Sequence, residues 1–354
     1  MINVLIVDDS AVVRQHLKDV LESDSNIRVM GTVKNGEEAV RFVQKKKPDV
    51  ITMDINMPNM NGFEATRRIM EINPVPIVIV TASYDRQDVE KSFHSMEAGA
   101  LAIIEKPFGE GHPHSKETQN DLVQTVKLMA EVKVVRRWKR EKEREERQLE
   151  DIDKTVSDKG IKRRDKKVKI VAIGASTGGP PIIQTILSGL KKGYPAPILV
   201  VQHISKGFLE GLTEWLNQST GLPVHIAKHG EELLPGHIYF ARDDYHLGVD
   251  EDGRLRLSRE EIENGIRPSV SYMFRSIMNS FDGEAVGILL TGMGKDGAME
   301  LKMMKDNGAV TIAQDRESSV VYGMPGEAVR LDGATYILSP EEIAPMLGAL
   351  AKVG

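Results

Sequence analysis

The feature that most constrains this chain is a recurrence of short apolar runs separated by stretches of helical periodicity. NVLIV, RVMGTV, DVITM, PIVIV and LAIIE fall in the first third, and VKIVAIG, PILVVQ and AVGILLTG follow later. Runs of this length without alternation read as strands buried on both faces, and strands separated by helices pair in parallel. Right-handed crossovers then favour open, doubly wound α/β sheets. In such a sheet the carboxyl ends of the strands converge on one crevice, so polar residues just after each run are the candidates for chemistry. Between the runs, Val12, Val13, Leu17, Val20 and Leu21 predict one apolar helix stripe, and Ala39, Val40 and Val43 predict another.

At 354 residues the chain is longer than most single cores, which predicts two domains. The absence of Cys removes disulfides, thiolate chemistry and a structural zinc site, and fits a reducing cytoplasm. The N-terminus enters at once into Asn3-Val4-Leu5-Ile6-Val7, and no apolar run approaches the roughly 18 residues of a membrane helix. A soluble chain with no direct membrane insertion is expected. A net charge of -5 gives no general case for a nucleic-acid partner. Residues 131–169 differ, with 16 Lys or Arg against 10 Asp or Glu and few apolar residues after Trp138. They predict an exposed helix that frays into a solvated basic stretch. The boundaries expected are one domain over 1–125, a charged, partly helical linker over 126–167, and a second domain over 168–354.

Asp8 and Asp9 directly follow the first run and Asp54 follows the third, so three carboxylates share one crevice. Crowded oxygen ligands of like charge call for a hard cation, and Mg²⁺ is the usual occupant. Thr81 after the fourth run and Lys106 after the fifth add a hydroxyl and an ammonium, so a phosphoryl group there would meet compensating charge on several sides. Taken singly, an Asp at a strand end is also a common helix N-cap. With Asp8-Asp9-Ser10, Met53-Asp54-Ile55-Asn56-Met57-Pro58, Thr81-Ala82-Ser83 and Lys106-Pro107-Phe108 in register, the first domain resembles the flavodoxin-like receiver of two-component response regulators. The resemblance implies phosphorylation of Asp54 by a histidine kinase and Mg²⁺ held by Asp9, Asp54 and the Asn56 carbonyl, with Asp8 helping through water. It also implies phosphate sensing by Thr81 and Lys106 and a cis Lys106-Pro107 bond. Ile103 stands where many receivers carry an aromatic residue.

In the second half, Ser176 lies in Gly174-Ala175-Ser176-Thr177-Gly178, a G-x-S-x-G sequence whose small residues permit a sharp strand-to-helix turn. The helix that follows, over 180–190, offers its N-terminal N–H groups to an oxyanion. His203 follows the next run, and Asp296 lies beyond AVGILLTG in a glycine-rich loop. Ser, His and Asp at neighbouring strand ends can form nucleophile, base and orienting acid in any chain order. HIYFA, HLGV and RLRLS predict short strands in an antiparallel insertion or edge. Ser339-Pro340-Glu341-Glu342 predicts a capping box that opens a final helix.

With Ile173 to Gly179, Gln202-His203, Arg267-Pro268-Ser269-Val270, Thr291 to Gly297, Ala313-Gln314 and Gly323-Met324-Pro325, the second half resembles the Rossmann-like catalytic domain of the CheB family of chemotaxis protein-glutamate methylesterases. The resemblance implies hydrolysis of glutamyl γ-methyl esters on methyl-accepting chemotaxis receptors, with glutamine deamidation as a further reaction. Ser176 then attacks, His203 moves the proton, Asp296 steadies the imidazole and the Met293 backbone N–H faces the oxyanion. The joint architecture implies control by phosphorylation, the unphosphorylated first domain covering the Ser176 cleft. Around that cleft Ile204-Ser205, Arg242-Asp243-Asp244, His246-Leu247 and Gly326 depart from the family pattern. A phosphorylation-dependent interaction module without catalysis is the alternative reading.

Overall fold

The apolar runs fold as strands of two separate parallel sheets in the structure, a computed structural model that describes residues 1–81, 93–109, 111–132, 134 and 167–351. The chain divides into two compact units, and the division between residues 142 and 143 lies outside the described residues, as does the charged stretch over 135–166. Among the described residues no helix is long and apolar enough to cross a membrane.

The first unit contains β1 (Ile2–Val7), α1 (Ala11–Glu22), β2 (Ile27–Val33), α2 (Gly36–Lys45), β3 (Val50–Met53), α3 (Gly62–Ile72), β4 (Ile77–Thr81), β5 (Ala102–Glu105) and α4 (Ser115–Ala130). Its five strands pair in parallel in the order β2-β1-β3-β4-β5. The first three helices open on residues whose side chains satisfy an orphan N–H. Ser10 accepts from Val13, Asn35 from Glu38 and Asn61 from Glu64. Leu17, Val20 and Leu21 are buried as expected, but Val12 is 79% exposed. At about 100° per residue Val12 lies roughly 140° around α1 from Leu17, outside the buried stripe.

The second unit contains β6 (Ile170–Ala175), α5 (Gly179–Ser188), β7 (Ile198–Gln202), α6 (Leu209–Thr220), β8 (Val224–Ile226), β9 (Ile238–Phe240), β10 (His246–Val249) and β11 (Leu255–Ser258). It continues with α7 (Val270–Phe281), β12 (Ala285–Leu289), α8 (Ala298–Asp306), β13 (Val310–Gln314), α9 (Met324–Arg330), β14 (Tyr336–Leu338) and α10 (Pro340–Ala351). Seven strands run parallel in the order β14-β13-β12-β6-β7-β9-β8. The HLGV and RLRLS runs form the expected antiparallel ribbon, β10 with β11. HIYFA does not join them: β9 is parallel and sits inside the main sheet, between β7 and β8. Its three residues are all buried, which suits a two-sided parallel strand rather than an edge. At the start of α10 the Ser339 N–H donates to Glu342 Oε2, the returning half of a capping box.

In the first sheet the winding reverses between β1 and β3, and in the second the connections diverge between β6 and β12. The crevice at such a reversal lies outside the strands' carboxyl ends. Helix α7 packs against the second sheet close to its crevice, where Val270, Met273, Phe274 and Ile277 share a core with Ile170 and Leu289. The approach depends on Gly174, where a Cβ would stand 2.4 Å from Val270 Cγ1. Gly174→Ala is therefore expected to destabilise the second unit by about 1–3 kcal/mol, and equilibrium urea unfolding checks it.

Candidate functional site

Strand β6 delivers Ser176 at the second crevice. The Ser176 N–H donates to Thr291 O at 3.0 Å and its carbonyl accepts from the Gly179 N–H at 2.8 Å, so the chain turns into α5 within three residues. Gly178 makes that turn with φ of 77°, a left-handed conformation that glycine adopts without strain. The loop after β12 comes equally close: a Cβ on Gly292 would lie 2.7 Å from Ser176 Cβ. The helix end offers less to an oxyanion than the sequence implied. Pro180 and Pro181 have no N–H, and that of Gly179 is already donated to Ser176 O. The Met293 N–H has no acceptor among the described residues, and its side chain is half exposed.

Strand β7 lies beside β6 with Ala175 opposite Gln202, and the His203 N–H donates to Ala175 O at 2.9 Å. His203 Nε2 lies 3.1 Å from Asp296 Oδ2, an ion-pair distance, although the ring N–H is not aligned on that oxygen. Among the described residues no hydrogen bond joins Ser176 Oγ to the imidazole. Imidazole χ2 is a broad torsion, and catalytic hydrogen bonds are commonly loose before substrate arrives. Nε2 is the ring nitrogen nearer the carboxylate.

Asp296 is the most heavily bonded member of the group. Its Oδ1 accepts from Ser269 Oγ (2.8 Å), Asn264 Nδ2 (3.0 Å) and the Ser271 N–H (3.2 Å), while Oδ2 accepts from the Val270 N–H (2.6 Å). Two of these donors are the first N–H groups of α7, whose N-terminal dipole favours an anion. Burial opposes ionisation, but the His203 imidazole, the Val270 N–H and the Ser269 hydroxyl outweigh it. They hold the carboxyl well below the ordinary carboxylate range. Asn264, Ser269 and Ser271 were not singled out by the sequence analysis for these contacts. Ser269 alone carried a signal, as a serine just before an apolar helical run.

Gln202 and Gln314 end β7 and β13, both buried. Gln202 Nε2 donates to Ser176 O (2.9 Å) and to His203 O (2.7 Å), while its Oε1 is buried with no partner among the described residues. An unmet buried acceptor costs about 1–3 kcal/mol. Gln314 Oε1 accepts the Thr291 N–H at 2.8 Å, and Thr291 Oγ1 donates to Thr177 O at 3.0 Å.

At the first crevice Asp8 and Asp54 are buried and Asp9 is exposed, and one oxygen from each lies within 4.8 Å of the others. Lys106 Nζ stands 2.7 Å from Asp8 Oδ2 and 3.2 Å from Asp54 Oδ1. Burial, only partly countered by that ammonium, pushes the Asp54 carboxyl up to about 6. The Lys106 ammonium is itself opposed by burial, but the two carboxylates raise its pKa. Thr81 is buried at the end of β4, and the Lys106 N–H donates to its carbonyl at 2.9 Å. Asn56 is exposed in the loop after β3, which Gly62 brings so close that a Cβ there would lie 2.2 Å from Asp54 O. Three convergent carboxylates form a hard-oxygen donor set that fits Mg²⁺. The Lys106-Pro107 bond is not cis: among the described residues the cis bond is Arg267-Pro268. Lys106-Pro107 takes the trans form, which X-Pro bonds favour by about 0.5–1 kcal/mol.

The class defined by these two crevices is a receiver-type domain followed in the chain by a second doubly wound α/β domain that carries Ser, His and Asp at its crevice. Residues 4–116 match the response regulator receiver domain and residues 171–347 match the CheB methylesterase family. The chain is 51% identical over 355 residues to "Protein-glutamate methylesterase/protein-glutamine glutaminase 4" of Geobacter metallireducens, covering 99% of each chain. It is 50% identical over 351 residues to "Protein-glutamate methylesterase/protein-glutamine glutaminase 1" of Syntrophus aciditrophicus, again covering 99% of each. The second unit superposes on the crystal structure of the Thermotoga maritima CheB methylesterase catalytic domain with a TM-score of 0.50 and 38% identity, over 51% of this chain and 98% of that one. The chain belongs to the CheB family of receiver-linked protein-glutamate methylesterases.

Ser269→Ala removes an N-cap and an Asp296 ligand together. It is expected to lower stability by about 1 kcal/mol in chemical denaturation. Asp296→Asn is expected to fold and to lose about 10⁴-fold in ester turnover, read by steady-state kinetics.

Proposed function

We propose that this chain is a phosphorylation-activated serine hydrolase. Its substrates are glutamyl γ-methyl esters on methyl-accepting chemotaxis receptors, from which it releases methanol, and receptor glutamines, which it deamidates. The observation that carries the reading is the His203–Asp296 pair beside the Ser176 turn at the β6/β12 crevice. Two relatives at about half identity over the full length bear names with both activities. The domains are the receiver over 1–125, the charged connector over 126–167 and the catalytic domain over 168–354, acting in the cytoplasm.

Ser176 Oγ attacks the ester carbonyl carbon while His203 takes its proton, and the carbonyl electrons collect on the oxygen that faces the Met293 N–H. The intermediate collapses, the bond to the methoxy oxygen breaks, and His203 returns the proton so that methanol leaves. Water then gives a proton to His203 as its oxygen bonds to the acyl carbon, the acyl–Ser176 bond breaks, and His203 returns that proton to Ser176 Oγ, leaving a glutamyl carboxylate. With glutamine, ammonia leaves in place of methanol. Asp296, kept ionised by its donors, holds the imidazole and steadies its cation.

The switch is Asp54, phosphorylated by a chemotaxis histidine kinase. Asp9, Asp54 and the Asn56 carbonyl would hold Mg²⁺, with Asp8 assisting through water. When bound, the ion offsets charge on the phosphoryl oxygens. Lys106 lies between Asp8 and Asp54, and Thr81 ends β4 beside the end of β5, which supports a phosphate-sensing role for both.

Methanol release from methylated receptor membranes tests the proposal. Ser176→Ala should lower it by at least about 10³-fold. Asp54→Ala should abolish stimulation by a small-molecule phosphodonor. Undiminished release by the Ser176 variant would overturn the assignment.

A further inference from the structure

Gln202 is used by no step above, yet it touches both residues that exchange the proton. We propose that Gln202 is a positioning residue: its amide straps the Ser176 turn to the His203 loop and sets the distance between nucleophile and base. The inference rests on the hydrolase reading.

Both hydrogens of Nε2 are committed, one to Ser176 O at 2.9 Å and one to His203 O at 2.7 Å. Each catalytic side chain hangs on a backbone unit that this single NH₂ group holds; the His203 N–H to Ala175 O bond ties the strands just before them, and the planar amide ties the carbonyls beyond. Ser176 O has a second donor in the Gly179 N–H. The oxygen end of the amide makes no bond among the described residues. An apolar side chain of similar length would fill this space without burying an orphan acceptor, so packing alone does not account for an amide here. Gly179 leaves the room it needs, since a Cβ there would stand 2.1 Å from Gln202 Oε1. Across the crevice Gln314 and Thr291 tie down the β12 loop and the carbonyl of Thr177, so the Ser176 turn is held from both sides. With the backbone fixed in this way, the His203 ring can turn between Asp296 and the hydroxyl without the two loops drifting apart.

Gln202→Met in the full chain keeps the side-chain length and removes both donors. With a constant phosphodonor and methylated receptor membranes, kcat should fall about 10- to 100-fold while KM stays within about twofold. The melting temperature should stay within about 3 °C. Ser176 should react with a fluorophosphonate more slowly in similar proportion. Gly179→Ala presses a methyl group on the same amide from the other side and should give the same split. Wild-type kcat in both folded variants would overturn the proposal. So would a loss that lies wholly in KM, or a Gln202→Met chain that does not fold, which would make the amide a requirement of the fold. If the wild-type chain released no methanol, the esterase reading would fall. The fluorophosphonate rates of wild type and Gln202→Met would still decide the role of the strap.

Discussion

A parallel sheet that reverses its winding leaves a gap at the carboxyl ends of two neighbouring strands, because the connections on either side leave in opposite directions. This constraint operates in both units. Between β1 and β3 it gathers Asp8, Asp9 and Asp54, and between β6 and β12 it gathers Ser176 and the loop that carries Asp296. Neither group is local in sequence.

The two crevices handle buried negative charge in opposite ways. Asp296 is surrounded by donors, two of them backbone N–H groups at the start of α7, and is held as a carboxylate. A fixed anion suits an orienting role, since it must not take the proton that the imidazole carries. Asp54 is buried beside another carboxylate with one ammonium between them, and its pKa rises. That imbalance suits a site that can hold a hard cation. The difference lies in the donors supplied, not in the residue type.

Much of this was legible in the chain. Apolar runs without alternation marked the buried strands, and chemistry-bearing residues directly after them marked the crevices, because strand ends are where a doubly wound fold brings side chains from different strands together. The failures have local causes. Val12 belongs to an apolar sequence but falls off the buried arc of α1, since apolarity alone does not fix helical phase to within a residue. Strand β9 is three residues long, too short for periodicity to separate an internal parallel strand from an edge. Asn264 lies 32 positions from Asp296 in a segment without pattern, so nothing in the sequence links them.

By itself, the sequence determined the α/β class, the two crevices and the residue types that line them, because burial periodicity and strand-end position are local properties of the chain. Only the tertiary structure decided which imidazole nitrogen faces Asp296, that α7 supplies the carboxylate's donors, and that the Gln202 amide spans the Ser176 turn and the His203 loop. Those outcomes depend on directions and distances between segments far apart in sequence.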